Sequence, residues 1–396
     1  MYLQGNGLND HIEAAVRLRH ELHRKPELTW QEHATAAAIR EILSELGIAW
    51  RVCADTGTVA TLAPAATGKH IALRADIDAL PIEERLAVPW RSQVPNCMHA
   101  CGHDGHTAAL MATASWLKQH EELLPGPVTL LFQPAEEGGH GARAMIQDGA
   151  LQGYGSRGPV EEIYGWHNWP AIPFGKAVCP DGPVMAANGT FVIEVQGVGG
   201  HSSQPELCRD PLLAAAAIIQ NLQQIVSRCT APQQSAVVSV TSCDAPSMPT
   251  VIRDNVRLEG SIRIADTAQR EAVFSHITTI AEQTALAFGA TALVKNTARY
   301  NATVNHADAA DRCRQVLWAR MGNLWNDAGI AVPIMASEDF SYYLEQIPGA
   351  FMLIGASQDG RCTAACHNPA YEFNDNLIPV VQGIYCRLAA KNLPIA

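Results

Sequence analysis

Four short stretches of the chain hold residue types that bind cations or move protons. The segment MHACGHDGH sets Cys101 and His103 two apart, and in an extended backbone residues i and i+2 point to the same side. One metal ion could touch both. Thiolate and imidazole suit zinc or another borderline transition ion, and the glycines at 102 and 105 let the chain bend close around it. Taken alone, Cys-x-His reads more simply as a small buried thiol with capping or core histidines.

The second stretch is Ala135-Glu136-Glu137-Gly138-Gly139. Adjacent carboxylates in a straight strand face opposite ways, so both can serve one site only where the backbone turns, as Gly138 and Gly139 permit. The division of labour expected is Glu137 on metal, with Glu136 free to take a proton from water and pass it to a leaving amine. By itself the pair is a solvated acidic turn. The third stretch is Gly165-Trp166-His167-Asn168, after the apolar run VEEIYGW, and the fourth is Cys366-His367-Asn368. Either histidine alone reads as structural or as a surface group. Their convergence at strand ends and loops changes the reading, because active sites in α/β sheets collect there. Cys101, His103, Glu137, His167 and His367 together make a ligand set for two ions about 3.5–4 Å apart.

Rigid elements must hold these residues. Residues 10–24 and 31–46 carry apolar positions at helical spacing, the second run ending at Gly47, so two opening helices are expected. Between Trp50 and Asp76 come short β-rich runs, TVATLA and HIALRAD among them. From His106 the segment TAALMATASWLKQH is helical, and PVTLLFQ is a buried strand running directly into PAEEGG. At about Asn188 the character changes. TFVIEVQGV, PLLAAAAIIQNLQQIVSR, SAVVSVTSC, NVRLEGSIRI, AQREAVFSHITTIAEQTALAF and TALVKN read as strand, helix, strand, strand, helix and strand. That order is the ferredoxin-like pattern, a compact unit that can be inserted whole. Helix DAADRCRQVLWARMG and strand FMLIGA then resume the first domain. The expected class is α/β, with residues 1–187 and 302–396 forming a catalytic metal-binding domain and 188–301 an inserted α+β unit.

Composition narrows the partners. At 396 residues the chain is long enough for two domains, and 47% hydrophobic against 17% charged residues is the balance of a folded protein. A net charge of −11 without clustered Lys and Arg excludes nucleic acid as the main partner and leaves small molecules. The start lacks the basic head and apolar run of a signal peptide, and no stretch is long enough to span a bilayer, so no membrane role is expected. Eleven scattered cysteines in a chain this large are expected as reduced thiols in a cytoplasm.

Seven ordered segments carry a resemblance: LRADIDALPI (73–82), MHACGHDGHTA (98–108), FQPAEEGG (132–139), GWHNWP (165–170), GGHSSQP (199–205), ASEDFSYYLEQIPGA (336–350) and CHNPAYEFND (366–375). The chain resembles the aminoacylase and carboxypeptidase-G superfamily of dinuclear metallopeptidases. Within it, the match is to the branch of hippurate hydrolases, indole-acetyl-amino-acid hydrolases and N-acetyl-diaminopimelate deacetylases. The resemblance implies a three-layer α/β catalytic domain of the zinc-exopeptidase type, with the inserted ferredoxin-like unit acting as a lid that pairs two subunits. It implies two divalent ions (zinc, manganese, cobalt or nickel) on Cys101, His103, Glu137, His167 and His367, with Glu136 as general base. His201 of GGHSS matches a lid histidine that reaches the partner's site and polarises the scissile carbonyl, and Arg263 matches an arginine held against the substrate carboxylate. The implied substrates are small N-acyl amino acids.

The chain also departs from the pattern. Thr250 stands where many members have a substrate-binding asparagine, Arg253 is an added cation nearby, and His140 takes the place of a usual glycine. His99, His106, Asp76 and Asp78 read as supporting residues, with Asp78 suited to accept the second N–H of a ligand histidine. Three other functions fit parts of this sequence. One is a dipeptidase or aminobenzoyl-glutamate hydrolase using the same site. Another is a thiol-redox or metal-storage protein built on Cys97, Cys101, Cys362 and Cys366, although three residues, not the two of the usual redox motif, separate Cys362 from Cys366. The last is a non-catalytic binding protein on a hydrolase scaffold.

Overall fold

The computed structural model describes residues 8–323 and 325–391. The chain divides into two compact units, one of Met1–Val184, Val304–Val332 and Asp339–Ala396, the other of Met185–Thr303 and Pro333–Glu338.

The first unit is built on a seven-stranded mixed sheet. Its strands lie in the order Trp50–Cys53, Gly57–Leu62, Val128–Gln133, Ile71–Asp76, Glu162–Pro173, Gly349–Ser357 and Ala177–Val178. The four strands from Val128–Gln133 to Gly349–Ser357 run parallel, and antiparallel neighbours close both edges. Every residue of Gly57–Leu62, Ile71–Asp76 and Val128–Gln133 is buried, so the sheet is covered on both faces, as parallel sheets require. Alternation then sorts the side chains. Val128, Leu130 and Phe132 join Ile71, Leu73 and Ala75 in the main apolar core, together with the helices Leu8–Arg24, His103–Gln119, Ala307–Met321 and Leu377–Ala389. The opposite face carries Arg74, Asp76 and Gln133, all buried.

The second unit has the order strand Ala187–Gln196, helix Pro211–Leu222, strands Ala236–Asp244 and Asn255–Ile264, helix Arg270–Ala287 and strand Thr291–Ala298. Its sheet is antiparallel throughout, in the order Ala236–Asp244, Asn255–Ile264, Ala187–Gln196, Thr291–Ala298. One face packs on the helices through Phe191, Ile193, Leu258, Ile262, Ile218 and Phe274. The short helix start is well specified, with Pro211 at its first turn and the Asp210 carboxylate accepting from Leu212 N at 2.9 Å. Pro333–Glu338, which chain order alone leaves with the first domain, clusters here because Ala186 N donates to Ile334 O (3.0 Å) and Ala336 O (2.9 Å). Among the described residues no helix is long and apolar enough to cross a membrane.

Candidate metal centre

The spacing of Cys101 and His103 suggests an extended backbone, and the chain does something else. Gly102 adopts φ +94°, and His103 opens the buried helix His103–Gln119. The two side chains are brought together by a left-handed turn that only glycine takes easily. A Cβ at Gly102 would stand 2.4 Å from Asn168 Oδ1 and 2.5 Å from Tyr371 OH, so the turn is also packed too closely for any other residue.

Glu136 and Glu137 follow the strand Val128–Gln133 on a tight loop with Ala135 at φ +56° and Gly138 at φ +92°. Gly141 N returns to Ala135 O at 3.1 Å and closes it. Its backbone is held by acids from elsewhere. Glu136 N and Glu137 N donate to the two carboxylate oxygens of Asp78, at 3.1 and 3.0 Å, and Ala135 N donates to Glu32 Oε1 at 2.9 Å. The Glu136 carboxylate, 6% exposed for the residue, accepts from Asp339 N at 3.3 Å.

His167 lies within the strand Glu162–Pro173, two residues past Gly165, so the strand continues through the site where the apolar run predicted its end. Pairing with Ile71–Asp76 extends from Ile71↔Glu162 to Leu73↔Tyr164, while pairing with Gly349–Ser357 continues past His167. His167 Nδ1 faces Asn168 O at 2.6 Å. A carbonyl only accepts, so Nδ1 carries the proton and Nε2 presents its lone pair, 3.2 Å from Cys101 Sγ. His103 Nδ1 likewise donates to Asp78 O (2.9 Å) and Oδ1 (3.2 Å), while Nε2 is buried with no hydrogen bond, 3.6 Å from Asp76 Oδ2. His367 sits at φ +67°, its N–H donating to Ala100 O at 2.8 Å and its Nε2 lying 3.1 Å from Glu137 Oε1.

The donors converge. Cys101, His103 and His167 form one group whose ligand atoms lie within 4.8 Å of one another, Cys101, Glu137 and His367 form a second, and His103, Glu136 and Glu137 a third. Carboxylates set the protonation of the buried imidazole. Burial pulls His103 toward neutrality, but Asp76, Asp78 and Glu137 outweigh it and push the group up to about 10. Contact with Cys366, then burial and Glu137, hold the Cys101 thiol well above its usual value, so the proton stays unless a cation replaces it. Burial and His106 hold His167 well below the imidazole range, which keeps it a neutral donor. Sulfur, imidazole nitrogen and carboxylate oxygen, with a His103 Nε2 that makes no hydrogen bond among them, fit divalent transition ions.

Neighbouring residues do the orienting. His106 uses both nitrogens, on Asp76 Oδ1 (2.6 Å) and Asn168 Oδ1 (2.8 Å), and Asn168 Nδ2 donates to Tyr371 OH at 2.7 Å. Sequence reasoning assigned no part to Arg74 or Asp339. Arg74 donates to Gln133 Oε1 (2.8 Å), Asp76 Oδ2 (2.7 Å) and Asp339 Oδ1 (3.2 Å), tying the ends of two strands to the segment that contacts Glu136. The signal available was an arginine inside the buried run HIALRAD, where an unpaired guanidinium would be costly.

The remaining expected site residues belong to the second unit. His201 is exposed, its Nδ1 accepting from Ser203 N at 3.1 Å, and its strand Gly200–His201 pairs with Val251–Ile252. Thr250, exposed, accepts at its carbonyl from Ser202 N at 3.0 Å. Arg263, half-buried, donates to Ser337 Oγ at 2.8 Å, and Arg253 spans Pro246 O and Asn255 Oδ1 at 2.8 Å each.

Known proteins resemble this chain over most of its length. It is 39% identical to the N-acetyl-L-cysteine deacetylase of Bacillus subtilis over 92% of this chain and 84% of that protein. It is 36% identical to the hippurate hydrolase of Campylobacter jejuni, covering 95% and 96%. The crystal structure of a Bacillus subtilis protein, described as a dinuclear metal binding peptidase from the M20 family, superposes with a TM-score of 0.81 at 34% identity over 97% and 99%. Residues 72–391 match peptidase family M20/M25/M40, and the chain belongs to that family of hydrolases acting on amide bonds.

Proposed function

We propose that this protein hydrolyses the amide bond of small N-acyl amino acids at a two-metal centre held by Cys101, His103, Glu137, His167 and His367. The observation that carries the reading is the Glu136 carboxylate, whose oxygen lies within 4.8 Å of donor atoms of both His103 and Glu137 while its loop hangs on Asp78. The ions, when bound, supply positive charge that makes a water acidic near neutral pH and polarises a carbonyl. Glu136 takes the proton of the attacking water and returns it to the departing nitrogen. The Asp339 N–H and the buried Arg74–Gln133–Asp339 network hold that carboxylate in place. His201 stabilises the charge that develops on the carbonyl oxygen, supplied by the second unit of a partner subunit acting as lid and dimerisation domain. Arg263 and Thr250 line the substrate in the same unit.

The named relatives act on N-acetyl-L-cysteine and hippurate, which supports an acyl group between acetyl and benzoyl in size. Zinc, manganese, cobalt and nickel all suit the donor set. Eleven unpaired cysteines suit a reducing compartment such as the cytoplasm. The test is a panel of N-acetyl and N-benzoyl amino acids, dipeptides and aminobenzoyl-glutamate, each with one of the four metals added. Preferred turnover of N-acyl amino acids is expected. Preference for dipeptides or aminobenzoyl-glutamate moves the assignment to a peptidase using the same site, and no turnover in any metal leaves a binding protein.

A further inference from the structure

We propose that Cys101 and Cys366 are an oxidation site, closing under peroxide to a disulfide that takes Cys101 out of the metal centre. The two residues come from separate chain segments of the first unit and are pinned together. His367 N donates to Ala100 O at 2.8 Å, so the residues flanking the two cysteines are joined through the backbone. Consecutive side chains of one strand contact the two sulfurs, His167 Nε2 at 3.2 Å from Cys101 Sγ and Asn168 Nδ2 at 3.9 Å from Cys366 Sγ. Cys366 is also the neighbour that does most to hold the proton on the Cys101 thiol. Cys366 nevertheless belongs to none of the three-donor groups that could hold an ion, so the proposed ligand set leaves it without a task.

Access separates this pair from the other touching thiols. Cys179 and Cys313 also meet, but both are buried, at 3% and 0% exposure, and neither stands beside the centre. Cys366 is half-buried beside the exposed His367, while Cys101 is buried behind it. A partly accessible first thiol with a second thiol behind it is the arrangement of an oxidisable pair.

The chemistry balances with hydrogen peroxide as oxidant. The Cys366 sulfur attacks one peroxide oxygen, the O–O bond breaks, and a sulfenic acid and one water result. The Cys101 sulfur then attacks the sulfenic sulfur, the S–S bond of about 2.05 Å forms, and a second water leaves. Two thiols are oxidised and one peroxide is reduced to two waters. A thiol reductant reverses the step by exchange. The cross-link needs only the two sulfurs, whereas its effect on metal rests on Cys101 being a ligand as proposed above.

The experiment treats the full-length protein with hydrogen peroxide, as purified and after metal removal with EDTA. It reads non-reducing peptide maps and the affinity for added zinc, by competition with a chelating indicator. A Cys101–Cys366 linked peptide two hydrogens lighter than the free pair is expected, forming faster without metal. Zinc affinity should fall roughly tenfold or more and return with dithiothreitol. Cys366→Ser and Cys366→Ala should form no link and keep their zinc affinity through the same treatment. No linked peptide, Cys101 recovered as sulfinic acid, or variants that lose zinc affinity like the natural chain would overturn the proposal. A linked peptide with unchanged zinc affinity would overturn the withdrawal step and the ligand role of Cys101 with it.

Discussion

Asp78 and His103 are joined twice, the imidazole Nδ1 lying 2.9 Å from the Asp78 carbonyl oxygen and 3.2 Å from its Oδ1. The same carboxylate accepts the N–H groups of Glu136 and Glu137 and the hydroxyl of Thr29 at 2.9 Å. Burial would push Asp78 up, but the bonds to His103 and to these N–H groups hold it below the usual carboxylate range. One side chain thus sets the angle of a proposed ligand and the path of the loop bearing two more acids.

Asp78→Asn tests that coupling. Asparagine keeps one acceptor but turns an NH₂ toward backbone N–H donors, so the loop loses a partner while His103 keeps part of its own. Zinc affinity, measured by chelator competition, should fall about 10–100-fold. An unchanged affinity would show that the carboxylate positions nothing the metal needs.

Glu136→Gln separates binding from proton transfer. The amide is isosteric and can still accept from Asp339 N, but it cannot take a proton from water. The expected result is a fall in kcat of at least about 10²–10⁴-fold with zinc content unchanged. Near-normal turnover would assign the base elsewhere.

His140 stands at φ +59°, a conformation costly for a residue with a Cβ, and its Nδ1 lies 2.8 Å from Tyr342 OH. This bond links the end of the Glu136 loop to the short helix Ser341–Leu344, close to Asp339. Tyr342→Phe and His140→Gly should each lower kcat several-fold, as loss of one hydrogen bond allows, with KM and zinc affinity little changed. The double variant should be no worse than either single one, because both remove the same bond. Additive losses would show two independent roles.

The strands carrying these residues are legible in the sequence because their signal is local. VTLLFQ and IALRAD are apolar runs too short for helices, each followed by turn residues and acids. The turn at Gly102 is not legible, since its φ answers to Asn168 and Tyr371, far along the chain. Nor is the clamp between Arg74 and Asp339, whose partners are 265 residues apart. The helix Leu377–Ala389 also escapes a reading by pattern, because Pro379 and Gly383 look like breakers. Proline is tolerated in the first turn, where its missing N–H is not needed. Gly383 packs against Arg320, where a Cβ would meet Nε at 2.9 Å.

The buried pair of His23 and Asp104, 2.8 Å apart, gives a pH dependence of stability. Burial lowers His23, but Asp104 outweighs it and the group is raised overall. Asp104 is lowered, since His23 overcomes the burial that would raise it. A raised histidine stabilises fully below its unfolded value of about 6.5 and loses the effect as pH rises through its folded value. A lowered aspartate stabilises above about 4 and loses the effect in acid. The stability difference between the natural chain and His23→Gln should therefore be largest between about pH 4 and 6.5, on the order of 3 kcal/mol, and shrink on the alkaline side. Urea titrations across pH check it, and a difference that grew above pH 7 would contradict the pairing.

Gly102→Ala is the sharpest test of how the centre is assembled. The substitution adds a methyl group where φ is +94° and where Asn168 Oδ1 and Tyr371 OH would stand 2.4 and 2.5 Å away. Left-handed backbone alone costs an alanine about 1–2 kcal/mol, and that part of the penalty has a control in the same unit. Gly47, at φ +67° after the helix His33–Glu45, has nothing within 4 Å of the built Cβ, so Gly47→Ala pays the backbone cost without any clash. Both variants should lose stability in urea, Gly102→Ala by more. Only Gly102→Ala should lose zinc affinity, because its relief comes from shifting Cys101 against His103 or pushing Asn168 off His106. Equal zinc affinity in the two would mean that the left-handed turn sets chain direction and not the distance between the sulfur and the imidazole.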